Sequence, residues 1–275
     1  MGWLCSLFLI FMSQMTSAED SGFFSAPDLG QLSYQLSWAD PEWPVELITI
    51  VPEVYTRNTK AKFCTRPLEM VDTVVIHHSE TPPTATATEI NSYHLARGTV
   101  DDPWYMIAYS FVINSPYSRM KLPDPKVTEG RPLHIVGAHA GTNAYVPMDA
   151  DQLKLWKENK VLCGREDEEF KIDPALVIDN KIKANVTTLG IVVNGNYAPF
   201  SQDNPSGYSR RSPRYPTHGT QDMVARLSCQ LQKKYPRIKN IKWHNYYHST
   251  SCPGTIRNYI DQIKTIAKEY GCTFY

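Results

Sequence analysis

Two histidine-bearing segments stand far apart in this chain of 275 residues. Ile76-His77-His78-Ser79 ends an apolar, β-branched run over residues 71–76, so its histidines sit where a buried strand would meet a surface. The segment His244-Asn245-Tyr246-Tyr247-His248-Ser249-Thr250-Ser251-Cys252 holds two histidines and a cysteine and closes on Pro253-Gly254. Imidazole nitrogen and thiolate sulfur are preferred zinc ligands, and a hydrolytic site takes three protein ligands and leaves a fourth position to water. Taken singly, each residue is an ordinary hydrogen-bonded histidine or half-buried thiol. Together they point to a metal centre. An unbroken helix would align His244, His248 and Cys252 on one face. Ser-Thr-Ser-Pro-Gly is poor helix sequence, however, so a loop is expected after Trp243. Such a loop brings His244 and Cys252 to one ion and turns His248 elsewhere. A third ligand must then come from another part of the fold, and His77 at a strand end is suited to it.

The elements that would hold these residues can be read from periodicity. Residues 71–76, 107–113, 133–138, 188–193 and 238–243 read as strands. Residues 86–97 read as a helix stopped by Gly98, with Ile90, Tyr93, His94 and Arg97 on neighbouring faces. Thr220 is the expected cap of a helix reaching Tyr235, with Val224, Leu227 and Leu231 at helical spacing. Pro253 opens a last helix that turns Ile256, Ile260, Ile263 and Ala267 inward and stops at Gly271. The pattern is not a strict βαβ alternation. It predicts an α/β fold with a mixed central β-sheet of about five strands flanked by helices. Residues 116–132 and 198–216 read as loops, and the charged stretch 149–183 as an insertion.

Composition sets the compartment and the partners. Lys+Arg and Asp+Glu both number 28, so no global field steers the chain toward nucleic acid or anionic lipid. The apolar run over residues 3–12, followed by Thr16-Ser17-Ala18, reads as a signal peptide cleaved after Ala18, and no later stretch is long enough to span a bilayer. A secreted or periplasmic location is expected. Residues 19–62, punctuated by Pro41, Pro44 and Pro52, read as an N-terminal extension packed on the core. After loss of Cys5, five cysteines remain. If Cys252 binds metal, then Cys64, Cys163, Cys229 and Cys272 are free to form two disulfides, in any of three connectivities. Asn185-Val186-Thr187 is a glycosylation sequon, meaningful only in a eukaryotic secretory pathway.

Six blocks occur in a recognisable order: Ile76-His77-His78-Ser79; Ala108-Tyr109-Ser110-Phe111; Glu129-Gly130-Arg131; Val136-Gly137-Ala138-His139-Ala140; Leu189 through Tyr197; and His244 with Ser249 through Gly254. In this order the chain resembles the zinc-dependent N-acetylmuramoyl-L-alanine amidases of the type-2 superfamily, which includes the animal peptidoglycan recognition proteins. The resemblance covers roughly residues 70–270 without the insertion, and implies a zinc amidase domain over residues 63–275.

Position by position, the resemblance implies His77, His244 and Cys252 as zinc ligands, and Tyr109 and Thr250 as catalytic residues. It implies His94, His139 and Asn143 as contacts to the muramyl peptide, and excludes His78 as a ligand. The implied activity is hydrolysis of the amide between N-acetylmuramic acid and L-alanine in peptidoglycan, with zinc as Lewis acid and activator of water. The alternative is a non-catalytic peptidoglycan-binding protein on the same fold. A structural zinc site would need a fourth protein ligand, for which His248 is the evident candidate. Glu80 and Glu129 lie near the motif blocks and are expected to be surface or loop carboxylates. The insertion, preceding the strand at residues 188–193, is a candidate border of the substrate groove.

Overall fold

The computed structural model describes residues 50–51, 55–83, 85–98, 103–114, 127–137, 139–140, 143–198 and 215–275. The expected signal peptide, most of the N-terminal extension and the greater part of both expected loops lie outside these residues.

In chain order the strands are β1 (Ile50–Val51), β2 (Phe63–Thr65), β3 (Thr73–His78), β4 (Phe111–Ile113), β5 (Val127–Glu129), β6 (Tyr145–Pro147), β7 (Leu162–Gly164), β8 (Val177–Ile178), β9 (Lys181–Lys183), β10 (Thr188–Val193) and β11 (Asn240–Trp243). The helices are α1 (Ala87–Arg97), α2 (Ala150–Lys157), α3 (Ala184–Thr187), α4 (His218–Lys234), α5 (His244–Tyr247) and α6 (Ile260–Glu269).

Among the described residues the central sheet has six strands in the order β1-β5-β4-β10-β3-β11. It is mixed: β4 and β5 run antiparallel, and every other neighbouring pair runs parallel. Two of these strands, β1 and β5, were not among the five expected, and the one expected over residues 133–138 contributes none among the described residues. β3 and β10 are continuous apolar and β-branched runs with every residue buried, as parallel strands covered on both faces must be. Their register sets Val192 beside His77 and Val193 beside His78.

Alternation along the strands separates two cores. Val74, Ile76, Phe111, Ile191 and Val193 face α4 and α6, meeting Val224, Leu227, Leu231, Ile260 and Ile263. Val112 and Val192 face the other way and pack with Ala87 and Ile90 of α1. The parallel strands β4, β10, β3 and β11 therefore end together, with helices on both faces. Such a carboxyl edge is where open α/β sheets place their ligands.

The inserted residues supply β8 and β9, which complete a small three-stranded sheet with β6 in the order β6-β9-β8, and Leu176 and Ile182 pack there with Met70, Val136 and Val186. β7 pairs antiparallel with β2, which sets Cys64 opposite Cys163, and the two form a disulfide. Helix α2 is seated at the amino end of β3, where Gln152 Nε2 donates to Met70 O at 2.9 Å and to Asp72 Oδ2 at 3.0 Å. That is the end of β3 away from His77. The second disulfide, Cys229–Cys272, ties the C-terminal tail to α4. Among the described residues no helix is long and apolar enough to cross a membrane.

Several expected boundaries shift for local reasons. Helix α4 starts three residues early because Thr217, not Thr220, is its cap, its Oγ1 accepting from Thr220 N at 3.1 Å. Pro253 is followed first by a 3-10 helix, Gly254–Tyr259, and only then by α6. The segment after Trp243 makes one helical turn, α5, before it becomes a loop. Residues 133–137 are no strand: Ile135 N bonds back to Pro132 O, and Ile135 makes one isolated bridge to Thr65. Of residues 107–113 only 111–113 are a strand, because side chains satisfy the backbone before it.

Candidate metal centre

β3 delivers His77 to the carboxyl edge of the sheet, where it is 1% exposed. β11 pairs with β3 up to Trp243 opposite Ile76, so the next residue, His244, opens α5 beside the end of β3. The loop after α5 folds back on it: Asn245 N donates to Cys252 O at 3.1 Å, and Asn245 Nδ2 donates to Thr250 O. Thr250 Oγ1 accepts from Cys252 N at 3.3 Å. Gly254 then passes so close to the chain that a Cβ there would lie 2.0 Å from Tyr197 O, and its φ of +63° is open mainly to glycine.

Three side chains distant in sequence thereby converge. One ligating atom from each of His77, His244 and Cys252 lies within 4.8 Å of the others. Cys252 Sγ is 3.6 Å from His77 Nδ1, and the rings of His77 and His244 are 4.7 Å apart. With zinc–sulfur bonds of ~2.3 Å and zinc–nitrogen bonds of ~2.0 Å, the edge of a tetrahedron is about 3.5 Å. The sulfur–nitrogen separation fits that edge. Among the described residues, no fourth histidine, cysteine or carboxylate joins the group. His248 is exposed, its ring 6.3 Å from that of His244.

The protonation states suit a cation. Burial, and next the neighbouring His244, hold His77 well below the usual histidine range. Burial, then His248, lowers His244 to about 4. Both rings are therefore neutral at physiological pH, with a lone pair to offer. Burial pushes the Cys252 thiol up to about 12, against the pull of the His78 N–H, which donates to Sγ at 3.4 Å. A bound divalent cation would have to displace that thiol proton. Among the described residues Cys252 is the free cysteine; Cys64, Cys163, Cys229 and Cys272 are all oxidised in pairs.

Around this cluster lies an aromatic and imidazole shell. The half-buried Tyr109 ring is 5.0 Å from His77 and 5.3 Å from His94. Burial, then the Cys252 and Glu80 charges, raise its phenol above the ordinary range, so it stays a neutral donor. His94 is 4% exposed, packs against Trp104 at 5.1 Å, and accepts from Ala108 N through Nδ1 at 3.0 Å. His139 is 2% exposed, with its ring 5.5 Å from His77 and its Nε2 2.8 Å from Thr188 Oγ1. Asn143 stands on the exposed turn before β6, outside these ring contacts.

The chain matches no family model and no curated protein. Among solved structures it is similar in fold to the N-acetylmuramoyl-L-alanine amidase endolysin LysCS of Clostridium intestinale, at 20% identity and a TM-score of 0.45, over 82% of this chain and 97% of that one. It is also similar to Drosophila peptidoglycan recognition protein SD, at 17% identity and a TM-score of 0.46, over 78% and 94%. The endolysin of Thermus scotoductus bacteriophage Ph2119 aligns at 15% identity and a TM-score of 0.42, over 80% and 99%. These are distant likenesses of shape. The chemistry rests on the side chains of this chain.

Four neighbours of the cluster were given no part in it by sequence reasoning. His78, the second of its doublet, is a bracket: its Nδ1 accepts from Tyr197 N at 2.9 Å, while its backbone N–H points at the Cys252 sulfur. Glu80 is exposed as expected, but it is held in the left-handed region (φ 57°) at the lip of the cluster. Its Oε1 lies 3.5 Å from His78 Nε2 and accepts from Ser251 Oγ at 3.4 Å. Asn91 and Arg131, both buried, bond the backbone ahead of Tyr109. The histidine doublet was the visible signal for His78; for the others the signal lies in long-range backbone contacts. Glu129 reverses its expectation. It is 6% exposed, lies opposite Phe111 on the face away from His77, and burial raises its carboxyl to about 7.

Proposed function

We propose that this protein is a secreted zinc hydrolase that cleaves the amide between N-acetylmuramic acid and L-alanine of peptidoglycan. The observation that carries this reading is the convergence of His77, His244 and Cys252 without a fourth ligand among the described residues. Two neutral imidazoles and one thiolate would hold the ion and leave the centre a net positive charge. Zinc bound there would polarise a scissile carbonyl and supply water activated near neutral pH.

The rest falls to the chain's own groups. Tyr109, kept neutral by burial, is placed beside His77 to donate to the oxygen on which charge develops. Thr250, whose Oγ1 caps the Cys252 N–H, offers a second neutral donor from the other side of the ligand loop. A donor of this kind is typically worth ~3 kcal/mol of transition-state stabilisation. The order of the six sequence blocks selects peptidoglycan as the substrate class, with His94, His139 and Asn143 as the carried-over contacts.

The test is zinc analysis of the purified protein, combined with digestion of bacterial sacculi and mass analysis of what is released. Free stem peptide beginning with L-alanine is the expected product. Sacculus binding with no released peptide would sink the enzymatic reading and leave a recognition protein on the same fold.

A further inference from the structure

Residues 103–110 carry Tyr109 into the centre without being a strand, so their backbone groups must find partners elsewhere. Side chains provide those of Met106, Ile107 and Ala108. Ile107 N donates to Asn91 Oδ1 at 2.7 Å, and Ala108 N donates to His94 Nδ1 at 3.0 Å. Asn91 and His94 are one turn apart on α1, so one face of that helix serves two successive amides. From the other side Arg131 donates to Ile107 O at 2.7 Å, to Met106 O at 2.8 Å and to Val136 O at 2.7 Å. Its own N–H takes Tyr109 O at 2.7 Å. Asn91, His94 and Arg131 are each no more than 4% exposed.

We propose that His94 is a positioning residue for Tyr109, acting through its Nδ1. This rests on the amidase reading given above. The bond from the Ala108 amide places the proton of the neutral imidazole on Nε2 and pins the peptide unit that leads into Tyr109. The ring of His94 also packs on the ring of Tyr109, so one side chain fixes both the backbone and the face of the tyrosine. A misplacement of about 1 Å in a reacting or stabilising group costs up to a hundredfold in rate. A substrate contact by the same side chain would use the other ring nitrogen, Nε2.

Two substitutions separate these nitrogens. In His94→Asn the amide oxygen stands near the place of Nδ1, and in His94→Gln the amide group stands near Nε2. With zinc content unchanged in both, His94→Gln is expected to lower kcat ~10- to 100-fold further than His94→Asn does. That loss should vanish when Tyr109 is already Phe, because the residue acts through the missing hydroxyl. The reverse order of the two variants, or an undiminished loss in the Tyr109→Phe background, overturns the proposal. Amide hydrogen exchange at Ala108 needs no activity. Slow exchange in wild type and His94→Asn with fast exchange in His94→Gln supports the role, and equal exchange in all three overturns it. Absence of any peptide release by the wild type would strike the amidase reading, and the exchange measurement would still decide whether His94 holds the segment.

Discussion

His77 Nδ1 and Cys252 Sγ stand 3.6 Å apart although 175 positions separate them in sequence. The sheet and one loop bring this about. β3 carries His77 to its carboxyl end, β11 in parallel register carries the chain to His244, and the turn after α5 returns Cys252 to the same point. Removing either atom should therefore remove the ion. Cys252→Ser and His77→Ala are each expected to lower zinc affinity by more than the ten- to hundredfold typical of outer-shell changes. His248→Ala, at an exposed position outside the cluster, should leave zinc content at one per chain. Loss of zinc from His248→Ala, measured by elemental analysis after dialysis, would make this a closed structural site.

Zinc loading should release between one and two protons at pH 7, one from a ligand and part of another from the activated water. His77 and His244 are already neutral there, since burial holds both well under the usual range. Cys252 is not ionised, since burial holds it up at about 12. The thiol is thus the one ligand that must lose a proton. Titration calorimetry in buffers of different ionisation enthalpy gives the number directly. A value below one would mean that Cys252 stays protonated or unused.

How much of this was legible depends on the range of the contacts involved. The strands buried on both faces were plain because a β-branched run has few other solutions, though the one expected over residues 71–76 lies at 73–78 and so takes in both histidines. The helix over 87–97 was plain from the spacing of Ile90, His94 and Arg97 and from Gly98; the structure adds the reciprocal cap between Thr86 and Glu89. The ligand set came through as residue types that converge in resemblance and then in space. The pairing Cys64–Cys163 was not readable, because it follows from the register of β2 on β7 across 99 residues. The strand expected over residues 107–113 was overextended for a related reason. Its alternation is real, but Asn91, His94 and Arg131 capture the amides and carbonyls that a ladder would have used. Glu129 was misread because its neighbours in sequence gave no sign that β5 would be covered by the core beneath α4.

Gly130 marks the tightest approach to the Tyr109 segment. A Cβ at this position would lie 2.3 Å from Tyr109 O, a backbone atom fixed by the Arg131 N–H and therefore unable to swing away. Gly130→Ala is expected to destabilise the protein by about 1–3 kcal/mol, the usual cost of forcing atoms into a packed site. It should also lower peptide release more than zinc affinity, because the strain falls on Tyr109 rather than on the ligands. Urea unfolding and zinc competition on the same variant check both parts. An alanine variant with wild-type stability would show that the segment yields freely.

Acid sensitivity supplies the last prediction. Burial first, then Arg131 and Arg97, lower His94 to about 3, whereas in the unfolded chain it titrates near the ordinary histidine value of 6.5. Between those two values the unfolded state binds a proton that the folded state does not, so stability falls as pH falls. The contribution of His94 is complete above pH 6.5, declines by about 1.4 kcal/mol per pH unit below it, and levels off near the folded value. His94 is 4% exposed, so solvent screening does little to reduce this. His94→Asn cannot take up that proton. Between pH 7 and pH 5 the zinc-free variant should lose about 2 kcal/mol less than zinc-free wild type in urea unfolding. His77, His139 and His244 are lowered as well and remain in both proteins, so the acid limb is softened rather than abolished. Equal losses in the two proteins would mean that His94 is protonated in the folded state, which its bond from the Ala108 amide forbids.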